Sequence, residues 1–393
     1  MNELKITKIE TIPLSYRYSE EERWNCPGWI TMQRNAVLVR IWTNEGIYGI
    51  GEIGEGTYLP ESVCHVVKEQ FESMLIGEDP YNIEYLWEKM YTRSMHWGRK
   101  GAIITIISGL EIALWDIIGK HSNKPVYELL GGLCRNKVRV YASAGMSQTV
   151  DELVDEALKY KEMGYTGFKM RIGSTDVNKD VETVKKVRNA IGNDMDLMVD
   201  AGQGYVDNPW DYKTVLNVAK QLESLNLYWL EEPFVPDNID DYARLAKQVS
   251  IPIAGGENEF TKYGFKELII NKSVDIVQPD VTRSGGILES KKIAAMAQAF
   301  HLPCAPHIFT SGVSLMANLH FILSTPNTRM MEYDRTINPL REDILVEPLE
   351  LENGYVKLSK TVPGLGVDIT DEMLEKFEYI PSTVVEKGEF SIV

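Results

Sequence analysis

The chain has 393 residues, 44% of them hydrophobic and 25% charged, the balance of a globular protein of two or three domains or of one large barrel with an accessory domain. Its formal net charge of −16 argues against a nucleic-acid partner, which needs clustered Lys and Arg, and no run approaches the roughly 18 apolar residues of a membrane helix. The four cysteines (Cys26, Cys64, Cys134, Cys304) are scattered without a C-x-x-C pair, which fits free thiols in a reducing cytoplasm and no zinc knuckle.

The first residues, Met1 to Leu14, lack the apolar core and cleavage site of a secretory signal. Lys5–Leu14 reads instead as a strand, followed by strands at Ala36–Thr43 and Gly46–Glu52 with a hairpin signal at Thr43-Asn-Glu-Gly46. Helical stretches follow at Pro60–Leu75, Tyr81–Tyr91 and Ala102–Lys120, so residues 1–135 form an α+β module. Residues 136–335 alternate between short apolar strands and amphipathic helices. One unit starts with a capping box at Thr149 and Glu152, continues with Leu153, Val154, Ala157 and Leu158 at helical spacing, and stops at Gly164. Strand candidates are Val138–Ala142, Gly167–Arg171, Leu197–Asp200, Tyr228–Glu231, Pro252–Gly255, Ile276–Pro279, Pro303–Pro306 and Arg329–Glu332. Such alternation predicts an α/β fold with a parallel sheet, and eight units favour closure into a barrel. The rival is an open doubly wound sheet, whose glycine-rich fingerprint is only poorly approached by Gly46-Ile-Tyr-Gly-Ile-Gly51. Residues 336–393, with a strand at Tyr355–Leu358, are expected to pack back on the N-terminal module.

Active sites of such barrels lie at the C-terminal ends of the strands. The residues there are Lys169 and Arg171 on strand two, Asp200 on three, Glu231 on four, Glu257 on five, Asp280 on six, His307 on seven and Glu332 on eight. Asp200, Glu231 and Glu257 would repel one another at one mouth unless a cation joined them, and hard oxygen donors suit Mg²⁺. The structural alternative makes each acid a helix N-cap or first-turn charge. A cation on a substrate carboxylate, aided by Lys169, would let a side-chain base remove the adjacent proton. Asp280 beside His307 would fix the imidazole tautomer and raise the basicity of the other nitrogen; the alternative is a core histidine.

These residues carry a family resemblance over nearly the whole chain. Ser108-Gly-Leu-Glu-Ile-Ala-Leu-Trp-Asp116, Gly167-Phe-Lys-Met-Arg-Ile-Gly173, Val199-Asp-Ala-Gly-Gln203, Trp229-Leu-Glu-Glu-Pro233, Gly256-Glu-Asn258, Pro279-Asp-Val-Thr-Arg-Ser-Gly-Gly286, Pro306-His307 and Met331-Glu332 resemble, in order and spacing, the motifs of the enolase superfamily, mandelate racemase subgroup. The resemblance implies a (β/α)7β TIM-like barrel with an N-terminal cap. It also implies Mg²⁺ on Asp200, Glu231 and Glu257, an Asp280–His307 base, and Glu332 hydrogen-bonding a small-molecule carboxylate substrate. A symmetric homo-oligomer, from dimer to octamer, is the subgroup's usual assembly.

One position departs from the pattern. The usual second lysine of strand two is Arg171 here, and arginine stays protonated at ordinary pH. This favours a one-base dehydration of a sugar acid by His307 over two-base racemisation, with Lys169 and Arg171 contacting substrate. Rival readings are a racemase or epimerase in which Arg171 is the second base, a cycloisomerase or lactone-ring enzyme, and a non-catalytic binding protein. Specificity is expected from the cap, through Trp24 and Asn25 in a lid-like segment (Arg23–Arg34, which includes Trp29) and through the polar cluster His96, Arg99 and Lys100. The alternative for that cluster is an exposed basic turn.

Overall fold

The computed structural model describes residues 3–26, 29–146, 149–358 and 362–387. Seven parallel strands lie side by side in the barrel: Val138–Ser143, Gly167–Arg171, Asp196–Asp200, Leu227–Glu231, Ile253–Gly255, Ile276–Val277 and Met330–Asp334. The seventh position is held by Cys304 alone, which bridges Val277 on one side and Thr328 on the other and so closes the ring. Pro303 and Pro306 flank it, and a proline cannot donate to a ladder, so this strand shrinks to a contact. Seven helices fill the connections, from Val150–Glu162 to Gly312–Leu323.

Strand alternation sorts the side chains. Phe168, Met170, Val199 and Leu230 join the large core beneath the helices, while Tyr141, Met198 and Trp229 fill the barrel interior. The same period aims Lys169, Arg171, Asp200 and Glu231 inward. Arg171 pairs with Asp200, and Asp200 with Glu231, so three polar residues stand level on adjacent strands.

The N-terminal module is an antiparallel sheet of Ile6–Arg17, Gln33–Thr43 and Tyr48–Ile53. Helix Ala102–His121 lies directly on it because Gly49 and Gly51 leave room. A Cβ on Gly51 would stand 1.9 Å from the Gly109 carbonyl oxygen. This helix is long and apolar enough to cross a membrane, but 83% of its apolar window is buried inside the protein. The stretch Pro60–Leu75 is not one helix: a π turn over Val67–Phe71 divides it.

Two findings add detail to the cap, on which the end of the chain packs through Glu378 against Leu14. The segment after Arg23 is a hairpin, Trp24–Cys26 against Trp29–Thr31, whose second strand pairs with Val385–Lys387. The segment after residue 335 is shared between the two domains, since Tyr355–Val356 pairs antiparallel with the first barrel strand.

Buried carboxylates fasten cap to barrel. Glu52 accepts hydrogen bonds from the Ser311 amide and hydroxyl and the Ser314 amide, at the start of helix Gly312–Leu323. Glu111 accepts from the Ile287 and Leu288 amides at 2.8 Å, at the start of helix Ile287–Ala299, and from Trp115 Nε1. Burial pushes both acids up to about 7, against the pull of these donors.

Candidate active site

Asp200, Glu231 and Glu257 are buried, and each offers an oxygen within 4.8 Å of the others'. Lys169 lies among the carboxylates, its Nζ 2.7 Å from Glu231 Oε1 and 2.7 Å from Glu332 Oε1. Burial alone would lower this lysine, but Glu231, Glu332 and Asp200 raise it well above its ordinary value. Burial would raise Glu231 and Glu332, yet Lys169 holds both below the usual range. Burial pushes Asp200 up to about 7, opposed chiefly by Arg171, whose guanidinium Nη1 hydrogen-bonds Asp200 Oδ2.

His307 stands across the mouth from Lys169 and Arg171. Its Nδ1 is 2.8 Å from Asp280 Oδ2, and Thr282 fixes the other Asp280 oxygen through its amide and hydroxyl. The carboxylate makes Nδ1 the donor, so Nε2 faces the mouth, 3.7 Å from Glu257 Oε2. Burial would lower His307, but Glu257, Asp280 and Glu332 together raise it to about 10. Glu332 Oε2 accepts from the Ile308 amide, which ties the strand-eight acid to the histidine loop.

The charge balance is the test for a cation. Asp200, Glu231, Glu232, Glu257, Asp280 and Glu332 are all buried here, Glu232 is held well above the usual range by burial and the neighbouring acids, and the neighbouring basic groups are Lys169, Arg171, His307 and Arg283, the last paired with Glu55. Burying more negative than positive charge is costly, and a divalent ion between three carboxylates relieves it. The donor set is all-oxygen and fits such an ion.

The cap residues divide. The Trp24 ring meets Phe309 edge-on at 6.0 Å, and Phe309 stacks on His307 at 6.2 Å, so Trp24 lies one ring away from the base. Buried Arg34 supports this wall, with its guanidinium 4.2 Å from the Phe309 ring centre and bonded to Asp334. Asn25 is exposed, and the side chain of Trp29 lies outside the described residues. His96 and Arg99 are exposed at the end of helix Ile83–Gly98. Among the described residues, no hydrogen bond, ion pair or ring contact joins either to the carboxylate cluster. Residues Ile83, Leu86, Trp87, Met90, Tyr91 and Ser94 form that helix's buried stripe, and His96 falls off it.

Sequence patterns gave no role to Phe309, Arg34, Tyr205, Asn258 and Arg283. Asn258 and Arg283 stand inside the Glu257 and Asp280 motifs and Tyr205 just past that of Asp200, but their contacts, such as Tyr205 to Glu257 and Arg283 to Glu55, form only between separate loops.

Comparison with known proteins gives the family. Residues 152–373 match the family model described as Enolase C-terminal domain-like, and residues 23–131 match the mandelate racemase / muconate lactonizing enzyme N-terminal domain. The chain therefore belongs to the mandelate racemase/muconate lactonizing enzyme group of the enolase superfamily. It is 36% identical to arabinonate dehydratase of Saccharolobus solfataricus, over 95% of this chain and 99% of that one. It is also 36% identical to the solved 3,6-anhydro-D-galactonate cycloisomerase from Zobellia galactanivorans, with a TM-score of 0.85 over 95% and 99% of the two chains. A racemase structure from Streptomyces coelicolor A3(2) with bound magnesium is 28% identical, with a TM-score of 0.84 over 95% and 99%.

Proposed function

We propose that this chain is a Mg²⁺-dependent hydro-lyase that dehydrates a sugar acid, an aldonate or aldarate, to a 2-keto-3-deoxy acid. The observation that carries the reading is the asymmetry of the mouth. On one side Asp280 holds His307 with Nε2 facing in. On the other, Arg171 is bound to Asp200 and stays charged, so it offers no proton acceptor.

Asp200, Glu231 and Glu257 would hold the ion. A divalent cation there supplies the positive charge that a carboxylate needs while its α-carbon is deprotonated. Lys169 and Glu332 would orient that carboxylate, and Arg171 would bind a carboxylate or hydroxyl oxygen. His307 Nε2 takes the α-proton, and the C–H pair becomes the carbon–carbon double bond of an enediolate. Collapse of the enediolate expels the β-hydroxyl, which leaves as water with the proton from His307. The resulting enol tautomerises to the keto acid. Glu257 is the largest of the charges that raise His307, so a cation on Glu257 would lower the imidazole's hold on its proton.

The solved cycloisomerase relative supports a second reading, in which the same proton abstraction leads to an isomerisation. A screen of aldonic, aldaric and uronic acids with Mg²⁺ separates the two. Formation of a 2-keto-3-deoxy acid supports dehydration; an isomeric product without water loss supports the alternative. The His307→Asn variant should lose about 10²–10⁴-fold in kcat on the substrate found. Full turnover in that variant would sink the one-base mechanism.

A further inference from the structure

Glu257 is gripped from outside the mouth. Its Oε2 faces His307, while its Oε1 accepts a hydrogen bond from the Tyr205 hydroxyl. Tyr205 lies in the turn after strand three, so it reaches a carboxylate two strands away. The residue is 42% exposed at the rim, with its hydroxyl on Glu257.

The direction of that hydroxyl proton is determined by its neighbours. Asn258 Nδ2 lies 2.9 Å from Tyr205 Oη and 2.9 Å from Glu232 Oε2, so the amide donates to both. Asn258 Oδ1 in turn accepts from Arg283 Nη2 at 3.3 Å. A carboxylate on the amide nitrogen side and a guanidinium on the oxygen side leave one amide orientation. Tyr205 must then accept from Asn258 and give its single proton away, and Glu257 Oε1 is the nearer acceptor. Arg283 also binds the Glu257 backbone oxygen through Nε and the cap residue Glu55 through Nη1 at 3.1 Å. The loop that carries Glu257 is therefore held at both its backbone and its side chain.

We infer that Tyr205 is a positioning residue for the cation site: its hydroxyl fixes the rotation of the Glu257 carboxylate so that the other oxygen points into the triad. This rests on the assignment of Asp200, Glu231 and Glu257 as cation ligands. Partners of this kind orient ligands, and losing one typically weakens metal binding about 10–100-fold. The substitution Tyr205→Phe removes the hydroxyl and keeps the ring.

Binding of Mn²⁺ alone, measured by the loss of its free-ion electron paramagnetic resonance signal, reads this without any substrate. The wild type should bind one ion, and Y205F should bind it with a Kd raised about tenfold or more. The melting temperature of the metal-free variant should match that of the wild type, and the stabilisation added by Mn²⁺ should be smaller. A variant Kd within twofold of the wild type overturns the inference, as does a raised KM with unchanged Mn²⁺ affinity, which would make Tyr205 a substrate contact. A wild type that binds no Mn²⁺ overturns the cation reading and the inference together, so the two failures are told apart.

Discussion

Two sets of buried carboxylates occupy this protein, and they are satisfied by opposite means. At the seam, Glu52 and Glu111 each collect backbone N–H donors at the start of a barrel helix. At the mouth, Asp200, Glu231 and Glu257 converge on one another and mostly on side chains, Lys169, Arg171, Trp229 and Tyr205, with a single backbone donor among the described residues, from Gly202 to Asp200. The seam donors are neutral, and burial outweighs them, since both acids are pushed up to about 7. At the mouth Lys169 holds Glu231 below the usual carboxylate range against burial, while burial pushes Asp200 up to about 7. Both sets are buried carboxylates, so the groups that each acid meets, helix-start amides or other charged side chains, are what separate them.

Breaking each set in turn tests this contrast. Glu257→Gln removes one charge from the mouth, and turnover should fall on the order of 10³-fold through loss of the cation's stabilisation. The metal-free variant should be at least as stable as the wild type in urea, because a like charge has left the cluster. Glu111→Gln at the seam should do the reverse. Near pH 5 it should lose about 1–3 kcal/mol of stability as helix amides go unpaired, with kcat per folded molecule unchanged.

The seam also has a pH signature. Glu111 is raised in the folded state from 4.5 to about 7, so its proton contributes stability fully below pH 4.5 and loses it as pH rises through about 7. At about 1.4 kcal/mol per unit the change is at most about 3.5 kcal/mol. The glutamine variant does not titrate, so its urea midpoint should fall less with pH, and its deficit should narrow between pH 5 and 8. A deficit independent of pH would mean that Glu111 is charged throughout. The smallest effect is expected from Arg171→Lys, which keeps a cation beside Asp200. Turnover should change by less than about tenfold, while a lysine able to exchange protons should place deuterium from D₂O at the α-carbon of recovered substrate.

Much of the barrel was legible in the sequence, because each strand end carried a polar residue after an apolar run and each helix followed in period. Gly167–Arg171 matches the expected bounds at both ends. Strand seven was legible as a segment but not as a contact, because its two prolines both mark it and shorten it. The cap helix at Ile83 ran two turns past its expected end, and that extension turned His96 and Arg99 outward. The dyad and triad residues could be picked out because each stands at a strand end. Tyr205, Asn258 and Arg283 could not, because loops from strands three, five and six must meet before their hydrogen bonds exist. Nor did periodicity reveal that Glu111 of helix Ala102–His121 caps the helix Ile287–Ala299 far along the chain.

The hairpin that carries Trp24 is paired with Val385–Lys387, and Trp24 reaches His307 through Phe309. The wall beside the base therefore joins segments more than 350 residues apart in the chain. A chain cut before Val385 would keep His307 and its neighbouring acids but lose the strand that backs the Trp24 hairpin, so the mouth would be less enclosed on that side.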